Sequence, residues 1–141
     1  MKLLNIIFIA FVILLSNSCI MPQQKIKDTN RKDLMIRISE IEIDSTSLEE
    51  YITILKEEAK ASVEFEPGVI SIYPMFQKDN PVQVRILEIY ANRESYKSHL
   101  ETPHFLKYKS STLKMVKSLR LIDMEAIDTE TMPEIFNKLK K

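Results

Sequence analysis

From residue 34 onward the hydrophobic positions switch between two periods, and the switches mark out structural elements. Leu34-Met35-Ile36-Arg37-Ile38-Ser39-Glu40-Ile41-Glu42-Ile43 is rich in β-branched residues and settles into strict alternation, which predicts a strand. Asp44-Ser45-Thr46-Ser47 stops it. Leu48, Tyr51, Ile52, Leu55, Ala59 and Ser62 then recur at helical spacing, with Glu49, Lys56, Glu57 and Lys60 turned outward, as in an amphipathic helix. Ser47 and Glu50 stand three apart at its start and predict a capping box. Glu66-Pro67-Gly68 ends the helix, Pro67 by lacking an N–H and Gly68 by offering a left-handed position.

Residues 69–77 and 82–90 read as two strands joined by the turn Lys78-Asp79-Asn80-Pro81, a hairpin. Alternation along the first of them sets Ile70, Ile72 and Phe76 on one face and Val69, Tyr73 and Met75 on the other, so both faces want cover. One layer of helices covers one face only. A second copy of the same sheet is the simplest cover for the other. Asn92 is placed to cap a helix through Leu100, Thr102-Pro103 interrupts it, and a further helix runs from His104 to about Val116. Residues 119–128 form the last strand. The order β-α-β-β-α-β, with its second helix split, is the ferredoxin-like α+β arrangement. Pro133 to Leu139 predicts a short terminal helix.

Upstream of this domain, Lys2 precedes an apolar run over residues 3–15, followed by Ser16-Asn17-Ser18-Cys19, the layout of a secretory signal. The run is short for a membrane span. The chain therefore divides into a signal (1–18), Cys19 with a polar tether (19–33), the domain (34–128) and a tail (129–141). Cys19 is the only cysteine, so no internal disulfide can form. Its setting resembles a bacterial lipobox, which implies an exported protein held to the bacterial cell envelope by a lipid on Cys19; an ordinary cleaved signal that leaves a free thiol is the other reading. Twenty basic and twenty acidic residues are interspersed, so no net field favours nucleic acid, and any hold on a membrane is through the lipid alone. Gly68 is the only glycine. Neither a dinucleotide-binding turn nor a phosphate-cradling P-loop can be built with one.

Glu88-Ile89-Tyr90-Ala91-Asn92-Arg93-Glu94-Ser95-Tyr96-Lys97-Ser98-His99-Leu100-Glu101-Thr102-Pro103-His104-Phe105 resembles the signature of the antibiotic biosynthesis monooxygenase (ABM) family, which includes quinol monooxygenase-like proteins. The shared features are Glu-x-aromatic closing the third strand, a helix with His-Leu, and a Thr-Pro-His-Phe turn. Glu66-Pro67-Gly68 is similar to the family's loop before the second strand. The resemblance implies a homodimer forming a dimeric α+β barrel, with a pocket in each subunit between sheet and helices. It also implies oxidation of a quinol-like or other electron-rich aromatic by O2 without cofactor, or else a non-catalytic dimer that holds a small hydrophobic ligand. The places that the haem-degrading branch fills with tryptophan and histidine hold His99 and Lys109 here, which argues against haem breakdown.

Such chemistry needs a base, and His99 is the first candidate because its side chain titrates nearest neutrality. A phenol near pKa 10 against a histidine near 6.5 leaves about 5 kcal/mol uncovered, so hydrogen-bond donors must help to hold the phenolate. Tyr90, Tyr73 and Arg37 are residues of the right type. Glu88 either orients a histidine or pairs with Arg85 or Arg120. His104 and Phe105 open the helix beside the expected pocket, His104 as a cap, as packing or as a substrate contact. A metal centre is not expected, because Glu101 is the only acid between His99 and His104 and a proline break separates their rings. The scattered methionines read as core filler.

Overall fold

A computed structural model describes residues 33–139; the signal-like segment, Cys19 and the tether up to residue 32 lie outside the described residues. In chain order the elements are β1 (Met35–Ile43), α1 (Leu48–Phe65), β2 (Val69–Gln77), β3 (Asn80–Tyr90), α2 (Arg93–His99), α3 (Pro103–Thr112), β4 (Val116–Met124) and α4 (Met132–Leu139). The strands form one antiparallel sheet in the order β2-β3-β1-β4. This is the ferredoxin-like α+β fold read from the sequence, with the second crossover split into α2 and α3. No helix among the described residues is long and apolar enough to cross a membrane.

Alternation in β1 survives intact. Met35, Arg37, Ser39, Ile41 and Ile43 are buried beneath the helices, and the residues between them are half-buried on the opposite face. From the helix side Tyr51, Leu55 and Ala59 of α1 complete a core with Ile41, Ile43, Val84 and Ile86. The stripe continues through Glu58 and Ser62, both buried.

β2 departs from simple alternation. Its pairing with β3 shifts between Val69 and Ser71, a bulge that turns Val69 and Ile72 toward the same, helix-covered side. Ile72 pairs with Glu88 and Tyr73 with Leu87, so Tyr73 falls on the other face of the sheet, where it is 60% exposed. The expected partition of β2 is corrected accordingly.

Two helix starts also differ from expectation. Ser47 makes no capping bond; Asp44 instead caps a short 3-10 turn, its Oδ1 accepting from Thr46 N at 2.9 Å and from Thr46 Oγ1 at 2.6 Å. α3 begins at Pro103, which sits in the first turn where its missing N–H costs nothing, and Thr102 Oγ1 accepts from Phe105 N. α3 ends sooner than its periodicity suggests. Thr112 Oγ1 donates to Tyr108 O, Met115 N donates to Thr112 O, and Asp44 N donates to Met115 O, so the chain turns early and β4 pairs with β1 from Val116.

Gly68 earns its place by space and not by a left-handed backbone. A Cβ there would come within 2.3 Å of Ser95 Oγ and 2.5 Å of Ser95 Cβ, while Gly68 O accepts from Ala91 N at 2.8 Å. The second clash is with an atom that cannot rotate away. Gly68→Ala is expected to cost about 1–3 kcal/mol in urea unfolding. Ser95→Gly in the same chain should restore most of that loss, and a double mutant no better than the single would refute the clash.

Candidate functional site

Between the sheet and the helices lies a cavity of about 320 Å³, at the small end of the range for ligand sites. Its walls are mostly apolar, with Ile41, Leu55, Ile86 and Phe105 among them, and its open side is bordered by Leu113, Leu119 and Leu121, which are 48–71% exposed. Into this surface come a few polar groups: Arg37 and Ser39 from β1, Glu58 from α1, Glu88 and Tyr90 from β3, and His99 from α2.

His99 closes α2 and is 3% exposed. Asn92 fixes the start of that helix, its Oδ1 accepting from Ser95 N at 2.8 Å, and Thr102 Oγ1 donates to His99 O at 2.8 Å at the end. The imidazole packs between Phe105 and Tyr90, with ring centroids 4.7 and 5.4 Å away. Its Nδ1 lies 2.9 Å from Glu66 Oε1. With the proton on Nδ1 donated to that carboxylate, the lone pair sits on Nε2, the nitrogen 3.7 Å from Glu58 Oε1. At that distance there is no hydrogen bond between them. Burial pushes the Glu58 carboxyl up, against the hydrogen bond donated by Ser62 Oγ at 2.7 Å and the charge of His99.

Tyr90 is buried and donates its hydroxyl to Glu88 Oε2 at 3.0 Å, while Ser39 Oγ donates to Glu88 Oε1. Burial, with the Glu88 charge second, pushes the Tyr90 hydroxyl far above the usual tyrosine range. Glu88 therefore holds a tyrosine and a serine, not a histidine and not an arginine. Arg37 is also in the wall. Its Nε and Nη2 donate to Asp123 Oδ1 at 2.9 and 2.7 Å, and its guanidinium lies 4.6 Å above the Tyr96 ring. Tyr51 and Tyr108 join hydroxyl to hydroxyl at 2.8 Å, and burial pushes Tyr108 up to about 12.

Of the residues singled out from the sequence, His99, Tyr90, Glu88, Arg37 and Phe105 share this cavity. Tyr73 does not, for the pairing reason given above. His104 stands behind His99, its Nε2 2.5 Å from the same Glu66 Oε1, and is not part of the wall. The sequence reading missed Glu58 and Glu66. Glu58 had a signal: Tyr51, Leu55, Glu58 and Ser62 make one helical stripe, and a carboxylate on it has to face the core. Glu66 stood in the Glu66-Pro67-Gly68 loop motif, but nothing there tied it to His99, which it meets only through the fold.

Among curated proteins none matches the chain. Residues 35–111 match the family described as antibiotic biosynthesis monooxygenase. A solved structure from Bacteroides thetaiotaomicron, provisionally named an antibiotic biosynthesis monooxygenase, is 49% identical over 70% of this chain and 93% of its own, with a TM-score of 0.69. A second, from Lactobacillus acidophilus and provisionally named a monooxygenase, is 30% identical over 66% of this chain and 44% of its own, with a TM-score of 0.65. A third, from Nitrosomonas europaea, is 16% identical at a TM-score of 0.65 and shares the fold. With the motif, the strand order and a 49%-identical relative in agreement, this chain belongs to the antibiotic biosynthesis monooxygenase family.

Proposed function

We propose that the protein oxidises a quinol-like, electron-rich aromatic with O2 and without a bound cofactor, using His99 as the base. The observation that carries this reading is a buried imidazole in the wall of an apolar cavity, with Nδ1 2.9 Å from a carboxylate; a proton on Nδ1 leaves Nε2 to act as the base. Nε2 takes the phenolic proton. The resulting anion passes an electron to O2, and the two radicals join at a ring carbon that carries hydrogen. The imidazolium then returns its proton to the peroxide. Loss of water, with the hydrogen of that carbon, leaves a carbonyl, so one oxygen atom stays on the ring and the other leaves as water. Glu66 stabilises the imidazolium formed midway, and the apolar walls keep bulk water from quenching the anion.

The test is O2 uptake by the purified protein with a panel of quinols and no added metal or flavin. Uptake well above the protein-free rate with at least one quinol is expected. Rates equal to the control throughout, with quinols still bound, would leave a ligand-holding protein in place of an enzyme.

The uncovered face of the sheet, with Ile36, Ile38, Leu87 and Ile122 half-buried and Tyr73 exposed, is read as the seat of a second copy. Sedimentation should give a dimer that Leu87→Arg converts to monomer. A monomeric wild type would remove this part of the proposal.

A further inference from the structure

We propose that Glu66, His99 and His104 together bind a divalent transition-metal ion of the Zn²⁺ type, on the side of the His99 ring turned away from the cavity. The three come from three elements: the residue that caps the C-terminus of α1, the last residue of α2 and the second residue of α3. His99 Nδ1 and His104 Nε2 converge on one carboxylate oxygen, at 2.9 and 2.5 Å, and the ligand atoms all lie within 4.8 Å of one another. Two imidazoles and a carboxylate are a common donor set for zinc and for iron(II), and a poor one for calcium or magnesium, which favour oxygen.

The fit is close. With zinc–ligand bonds of about 2.0–2.1 Å, tetrahedral ligand atoms lie roughly 3.3 Å apart, so these three need to adjust by at most about 1.5 Å, within reach of side-chain rotation. His99 and Glu66 are held from all sides, their side chains 4% and 11% exposed, whereas the His104 side chain at 22% leaves a way in and room for water as fourth ligand. The outer support is also present. A metal-bound histidine usually gives its second N–H to a carboxylate, and Glu58, 3.7 Å from Nε2, would have to close by about 0.7 Å to accept it.

Binding has a consequence inside the cavity, and that consequence rests on the function proposed above. A cation on Nδ1 displaces the proton to Nε2, so His99 would meet the cavity as a donor and could not act as base. The metal would switch turnover off.

The test uses the full chain carrying Cys19→Ser, so that its single thiol cannot contribute, and Zn²⁺ and Co²⁺ as the probes. Calorimetry should give one equivalent of Zn²⁺, and Co²⁺ should develop the visible bands of a four-coordinate N/O site. Glu58→Gln should weaken binding by roughly 10–100-fold, the usual effect of losing an outer partner. His104→Ala, at a partly exposed position, should lose more than that while still unfolding cooperatively, at a midpoint lowered by the lost bond to Glu66. No heat and no bands with the parent chain would overturn the site, as would unchanged affinity in His104→Ala. Neither readout depends on turnover, so a protein that binds Co²⁺ but consumes no O2 would refute the base and spare the metal site.

Discussion

His99→Ala is expected to slow O2 uptake by roughly 10²–10⁴-fold, the range that a well-placed general base contributes. The loss should fall on kcat with little change in KM, because the imidazole acts on a proton in transit while the walls that hold the ring, Phe105, Ile86 and Leu55, are untouched. Truncation also removes a ring packed against Phe105 and Tyr90, so some stability is lost with it. His99→Gln keeps most of that volume and can still donate to Glu66, yet has no usable base. The two variants should therefore share the kinetic defect and differ in unfolding midpoint. Uptake in His99→Gln within a few-fold of wild type would show that the imidazole is not the base.

How far the sequence carried this picture depends on how local each cause is. Strand β1 was readable because Met35 to Ile43 alternates without a break and buries the same alternate residues in the fold. The break between α2 and α3 was readable because Thr102-Pro103 acts on its immediate neighbours. Ser47 and Glu50 had the right spacing for a capping box, but Asp44, three residues earlier, took over the turn by binding Thr46. The bulge in β2 depends on its register against β3, so no count of apolar residues within β2 could have moved Tyr73 to the far face. Glu66 lies 33 residues from His99 and 38 from His104 along the chain, and only the finished packing of α1 against α3 brings all three together. The family motif named His99 without naming what orients it.

Tyr90 offers the second large effect, and it separates packing from hydrogen bonding. Tyr90→Ala empties a fully buried site next to Tyr96 and His99 and is expected to cost about 3–5 kcal/mol in urea unfolding, as large-to-small aromatic changes in cores do. Tyr90→Phe keeps the ring and removes only the donor to Glu88, leaving that carboxylate with Ser39 alone on the cavity wall. The expected cost is about 1–3 kcal/mol, because a group left short of its partner in a buried setting bears the desolvation penalty. Burial and then the Glu88 charge hold the hydroxyl above the usual tyrosine range, which favours its protonated form. It can thus serve a bound anion only as a donor, and only by releasing Glu88. A Phe variant as stable as wild type would mean that Glu88 draws nothing from Tyr90; the hydroxyl would then be free to turn toward substrate, and Tyr90→Phe should raise KM instead.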